Sequence, residues 1–175
     1  SVVEEKRFDP AWDRDLERPV LDARANGELF PVLELDEAFR DGATVMLGYY
    51  QGSLLCELIE RDYGFPALRA LVAAFADGST TEQAIRAALK VEPAELDRRL
   101  LAYVAEVVAA RAAVRPTWTE AGKERLRQRV QAGDEQALAP LAAAYRDLGR
   151  SADEDAALQK ALAELGETPE VLRAL

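Results

Sequence analysis

The chain has 175 residues, 49% of them hydrophobic, enough for a real core in one domain with an appended module. A formal charge of -10 and a pI near 4.7 speak against a nucleic-acid groove or an anionic membrane surface, both of which need a basic face. The chain contains no His, which excludes a Ser-His-Asp or Cys-His nucleophile pair and a His-bearing zinc site within these residues. Catalysis is left to carboxylates, Tyr, Lys, Arg or groups outside the chain, and partners are expected among proteins, cations and small molecules.

In chain order, "PAWDRDL" and "RPVLDARANGEL" predict short helices stopped at Asn26-Gly27. "LFPVLELDEAF" contains Pro31 and reads as an extended arm or a short helical turn. From Thr44 the helix signals dominate. Leu47, Tyr50, Leu54, Leu58 and Ile59 share one face of a helix that Gly64 ends, and Phe65, Leu68, Leu71, Val72 and Phe75 repeat the pattern up to Asp77-Gly78. Ser79 to Glu82, "STTE", reads as a capping box for a short run to Leu89. Pro93 takes a first helical position ahead of Leu96, Leu100, Tyr103, Val104, Val107 and Val108, a helix expected to run to about Val114. "RPT", Arg115 to Thr117, is a break, and "TWTE", Thr117 to Glu120, reads as a second capping box for a helix ending near Gly133. No stretch alternates as a strand does, so the predicted class is all-α, with a first domain over 1–114 and a second module over 117–175.

Few side chains suggest chemistry. Cys56 sits in the apolar run "SLLCELI" and has no partner for an internal disulfide, so it is expected to pack as a small hydrophobe, and the compartment stays open. Glu4 and Glu5 would serve as a metal or acid-base pair only if they converged, but adjacent helical residues point about 100° apart and read better as a solvated face. Trp12 and Trp118 mark either peptide-binding spots or packing anchors. "DPAWDRD" lacks the glycine and terminal Glu of a calcium loop. No apolar run approaches the ~20 residues of a membrane span, and "SVVEEKR" is not a basic, apolar leader.

Leu141 to Glu170, "LAAAYRDLGRSADEDAALQKALAELGETPE", resembles one tetratricopeptide repeat. Leu141, Ala142, Tyr145, Gly149, Ala161 and Leu162 fall near the motif's places, while Glu154 replaces a small residue, Gly166 stands where proline is usual, and Pro169 comes late. Pro140 is expected to bend or delay the first helix. "WTEAGKERLRQRV" offers a preceding helix and "TPEVLRAL" the start of a following one. The resemblance implies a helical interaction scaffold for a peptide or protein ligand; because a single helix pair cannot bury its own face, either the upstream helices cap it, or further repeats follow Leu175, or both.

Tyr49 to Gly64, "YYQGSLLCELIERDYG", resembles the second half of a gluzincin (peptidase MA-like) zinc metallopeptidase domain, and the likeness runs on through "FPALRALVAAFADGSTTEQAIRAAL" and "EPAELDRRLLAYV" to cover roughly Ser1 to Val108. Bacterial members of that group often carry tetratricopeptide repeats. In the family, zinc is held by H-E-x-x-H and by a Glu from a following W-x-x-E-G-L helix, and a later Tyr-x-x-Gly helix start carries a tyrosine that stabilises the oxyanion. Tyr49-Tyr50-Gln51-Gly52 matches that Tyr-x-x-Gly, which gives Tyr49 the catalytic place and puts Tyr50 and Gly52 at a substrate cleft. "SVVEEKR" is similar to the residues that follow the third zinc ligand, so the resemblance implies zinc ligands upstream of Ser1, in the half-domain that would be the chain's partner, and a covered chain that binds no zinc and hydrolyses nothing by itself. Read from the residues alone, both tyrosines equally fit a packing role, rings inward and hydroxyls outward, with the phase of Tyr50 matching Leu54 and Leu58. A helical spacer without catalysis or ligand is the third reading.

Overall fold

The computed structural model describes residues 2–9, 14–109 and 115–149, with 156, 159 and 163 beyond them. Among the described residues every regular element is helical and no strand occurs, so the protein is all-α. None of the described helices is long and apolar enough to cross a membrane. The chain divides into two compact units, residues 1–21 with 29–115 and residues 22–28 with 116–175. The segment 22–28, placed in the first domain by sequence, thus groups with the second.

The first unit is built around α3. In order it contains α1 (Val2–Phe8), most of α2 (Arg14–Asn26), a 3₁₀ helix (Val32–Phe39), α3 (Val45–Tyr63), α4 (Phe65–Ala76), α5 (Thr81–Leu89) and α6 (Pro93–Ala109). The central helix touches α1, the 3₁₀ helix, α4 and α6. Its buried Leu47, Tyr50, Leu54, Leu58 and Ile59 are the set expected from the helical period, and they share a core with Leu96, Leu100 and Val104 of α6.

Three local expectations change in this unit. Instead of two short helices, α2 runs through Pro19, although an internal proline costs about 3 kcal/mol. Burial of Val20, Leu21 and Ala23 just beyond it offsets that cost. The cap of α5 is Thr80, not Ser79: its hydroxyl accepts from the Gln83 N–H while the Gln83 side chain accepts from the Thr80 N–H, moving the box one residue along. Of the two readings of "LFPVLELDEAF" the helical turn holds, as the 3₁₀ helix Val32–Phe39. Finally, α4 is apolar on more faces than its neighbours cover, so Leu71 is buried while Phe65, Val72 and Phe75 are exposed.

The second unit holds the end of α2, then α7 (Glu120–Gln131), a short 3₁₀ turn (Glu135–Ala137) and α8 (Leu138–Leu148). Trp118, Leu126, Val130, Leu138, Leu141 and Tyr145 make its core, so Trp118 is a packing anchor. Pro140 lies in the first turn of α8, where its missing N–H has no helical acceptor to lose. Helix α7 is capped by Thr119, whose hydroxyl accepts from the Gly122 N–H, two residues beyond the predicted Thr117. Gly27 ends α2 with φ +67, its N–H on the Arg24 carbonyl and the Glu28 N–H on the Ala23 carbonyl, a Schellman cap whose bond pair recurs at Gly78 and Gly133. Of the second helix of the expected repeat only residues 156, 159 and 163 are described, and the predicted stretch from 110 to 114 and Trp12 lie outside the described residues.

Buried Asn26 joins three parts of the second unit. Its Nδ2 donates to the carbonyls of Asp22 (2.9 Å) and Thr117 (2.7 Å), and its Oδ1 accepts from the N–H (2.8 Å) and hydroxyl (3.1 Å) of Thr119. Arg125 Nε donates to the Asn26 carbonyl at 2.7 Å. Ordering the Thr119 cap therefore depends on a residue more than ninety positions earlier.

Candidate functional site

The start of α3 is held by backbone-directed polar contacts before any exposed side chain is considered. The Thr44 hydroxyl donates to the Ala38 carbonyl at 2.9 Å, and Asp41 Oδ1 accepts from the Ala43 N–H at 2.9 Å. Buried Gln51 donates through Nε2 to the Phe30 carbonyl (2.6 Å) and accepts through Oε1 from the Phe30 N–H (3.1 Å), completing both hydrogen bonds of a residue just before the 3₁₀ helix. Asp97 of α6 accepts from the Val32 N–H at 2.7 Å, capping the 3₁₀ helix from outside.

With three residues per turn, the 3₁₀ helix sorts its side chains into rows. Val32 and Ala38 are buried and Leu35 half-buried in one row, while Leu33, Asp36 and Phe39 form an exposed row. Gly48 lets this helix lie close on α3: a Cβ there would sit 2.8 Å from the Ala38 Cβ and 3.2 Å from the Phe39 ring. The Phe39 ring then meets Tyr49 edge to face, with centroids 5.2 Å apart and planes at 83°.

The two tyrosines consequently part company. Tyr49 is 52% exposed and Tyr50 1%. Tyr50 belongs to the core and not to a substrate cleft, because one residue of helix turns its ring about 100° away from Tyr49, onto the face of Leu54 and Leu58. At half-buried Gly52 a Cβ would have one neighbour within 4 Å, Leu35 Cδ2 at 4.0 Å, so no close approach requires the glycine. The close approach that needs a glycine is at Gly48, which the Tyr-x-x-Gly spacing does not single out. Of the predicted site residues, Tyr49 is exposed, Gly52 half-buried and Tyr50 buried; Tyr49 stands in company with Phe39 and with Met46 one turn earlier on α3.

A second polar cluster, not anticipated from sequence, braces α3 against α6. The Tyr103 hydroxyl donates to Glu57 at 3.0 Å, and the Arg61 guanidinium stacks over the Tyr103 ring at 4.6 Å while pairing with Glu106 at 3.3 Å. Burial first, and the Glu57 carboxylate second, push the Tyr103 phenol up to about 12. It is a donor that keeps its proton, not a base. Glu57 lies eight residues beyond Tyr49, roughly 12 Å along the helix, so the cluster is separate from the exposed facet.

Glu4 pairs with Arg7 at 2.9 Å, and Arg7 also reaches Glu60. Among the described residues no group of three or more His, Cys, Asp or Glu is placed to hold a metal ion. Burial raises the Cys56 thiol above its ordinary value, with Glu57 and Glu60 adding to the effect. In the second unit, Asn26, Gly27, Arg125, Leu126, Gln128, Arg129 and Ala132 line a groove of ≈ 380 Å³, in which Arg125 is tied to Glu28 (2.6 Å) and Arg129 to Asp134 (2.7 Å).

Compared with protein-family models, with curated proteins and with solved structures, the chain shows no significant match.

Proposed function

We propose that this chain is the C-terminal helical portion of a gluzincin-like zinc metallopeptidase, with the metal-holding helices supplied by residues preceding Ser1, and that the start of α3 forms one wall of its substrate cleft. The observation that supports this reading is the separation of the tyrosine pair: Tyr49 keeps 52% of its surface free on a helix start anchored by Thr44 and Gln51, while Tyr50 is spent in the core. A phenol presented this way can donate a hydrogen bond to an oxygen that gains negative charge during attack on a peptide carbonyl. Its position is fixed by the edge-to-face contact with Phe39 and by the close packing at Gly48, so little is lost in orienting it.

The second reading, a repeat-type interaction scaffold without catalysis, draws on the contact between α7 and α8 across a short turn and on the buried Leu141, Ala142 and Tyr145 at the motif's places. The test that separates them uses the complete product of the gene. Hydrolysis of a peptide library is measured with and without Tyr49→Phe, and the expected loss of turnover is ~10²–10³. Turnover that Tyr49→Phe leaves unchanged removes Tyr49 from the mechanism, and a complete protein lacking H-E-x-x-H upstream favours the scaffold.

A further inference from the structure

The exposed facet at the start of α3 has a charge pattern that the peptidase reading does not use. Leu33 (43% exposed), Phe39 (47%), Met46 (47%) and Tyr49 (52%) leave large apolar side chains open to solvent, with the Phe39 ring against Tyr49 and Met46 one helical turn before it. Around them stand Glu34, Asp36, Glu37 and Asp41 against the single cation Arg40. That guanidinium is already engaged by Asp36 at 3.1 Å and Glu37 at 2.6 Å, so it offers an incoming anion little. Four carboxylates against one guanidinium leave this stretch at -3, in a protein whose total is -10. The pattern is complementary to cations and repels anionic partners.

We infer that the facet docks an extended polypeptide segment carrying Lys or Arg next to apolar side chains. The apolar residues would lie over Met46 and Phe39. A neighbouring ammonium or guanidinium would sit near Tyr49, whose ring can accept a cation over its face, or pair with Glu34 and Glu37. This rests on the reading of α3 as a polypeptide-binding wall and names the class of segment that wall selects.

The test is fluorescence anisotropy with the 175-residue chain and three labelled peptides: alternating Lys-Leu, alternating Glu-Leu and alternating Lys-Ser. The Lys-Leu peptide is expected to bind, with affinity falling about tenfold between roughly 20 mM and roughly 300 mM NaCl, and the other two to bind at least about tenfold more weakly. Phe39→Ser and, independently, Met46→Ser should each weaken Lys-Leu binding several-fold with unchanged circular dichroism. Glu34→Gln with Glu37→Gln should weaken it and flatten its salt dependence. Equal binding of the Glu-Leu peptide, no binding of the Lys-Leu peptide, or full affinity in all these variants overturns the inference. So does a dimer in sedimentation equilibrium that Phe39→Ser dissolves, which would assign the facet to a second copy, or capture by phosphatidylcholine vesicles that the Lys-Leu peptide does not relieve. Failure here leaves the Tyr49→Phe hydrolysis test standing, and unchanged hydrolysis in that test leaves the binding result standing.

Discussion

Replacing Gly122 with alanine puts a single methyl group against the Asn26 hub. The new Cβ would lie 2.7 Å from Asn26 Cγ and 2.8 Å from its Cβ, where ordinary contact begins at 3.4 Å, so the amide must move by about 0.7 Å or more. The amide cannot yield like an exposed lysine: it is 1% exposed and its four hydrogen bonds span 2.7 to 3.1 Å. A shift of that size carries most of them to about 3.5 Å, beyond useful geometry. At about 1 kcal/mol net for each bond the loss approaches 4 kcal/mol, from which the better helix propensity of alanine returns at most about 1 kcal/mol. The net expectation is a destabilisation of about 3 kcal/mol. Urea denaturation read by Trp118 fluorescence in a Trp12→Phe background follows the second unit, in whose core Trp118 lies. With a slope of about 2 kcal/mol/M, the midpoint should fall by about 1.5 M. Asn26→Asp, which keeps the shape but sets a second acceptor against the Asp22 and Thr117 carbonyls, should fall comparably. A Gly122→Ala midpoint within about 0.3 M of the parent would mean that the Asn26 amide does not hold the Thr119 turn.

Further expectations follow from the first unit. Gln51→Leu keeps the volume but strips both hydrogen bonds from Phe30, and should cost about 2–4 kcal/mol in thermal or urea unfolding. Tyr103 has a folded value raised to about 12 from 10.0; its contribution to stability is fully present below about pH 10 and lost as pH rises through about 12. In the difference of tyrosinate absorbance between the parent and Tyr103→Phe, the missing phenol should titrate late, and Glu57→Gln should bring it down. Thr80→Ala removes the cap of α5 and should cost about 1 kcal/mol, whereas Ser79→Ala should cost almost nothing.

The helices from Thr44 onward were legible because their apolar residues recur at helical spacing and glycines stop them: Gly64, Gly78 and Gly133 stand just beyond the ends of α3, α4 and α7, all three with positive φ. Caps were legible as a type but not as a position. In "STTE" the cap is Thr80, between Ser79 and the first helical residue Thr81, and in "TWTE" it is Thr119, because the cap must combine extended backbone with an N–H three residues on, and letters alone do not decide which residue does so. The Asn26 hub was invisible, since Asn-Gly reads as a helix stop and its partners at 117 and 119 are remote in sequence. The exposed facet was hidden for a different reason. "VLELDEAF" has a period of three, which a search for periods of two or 3.6 does not weigh.

That three-residue period ties the tyrosine to the rest of the fold through one small position. Gly48 is buried with the Ala38 Cβ and the Phe39 ring pressed against it, so the seating of the 3₁₀ helix, the aromatic contact and the exposure of Tyr49 are set together. Gly48→Ala would place a methyl 2.8 Å from the Ala38 Cβ and 3.2 to 3.3 Å from the Phe39 ring. Helix propensity favours the substitution by up to about 1 kcal/mol, but overpacking against backbone-anchored neighbours costs about 1–3 kcal/mol, so the sign should be destabilising. Ala38→Gly removes the closest of those contacts. In a double-mutant cycle the pair should therefore couple by about 1 kcal/mol in the direction of rescue, although each single change weakens the unit. Strict additivity would mean that the 3₁₀ helix slides on α3 to admit the methyl. The facet would then have no fixed geometry with which to orient Tyr49 or to select a segment.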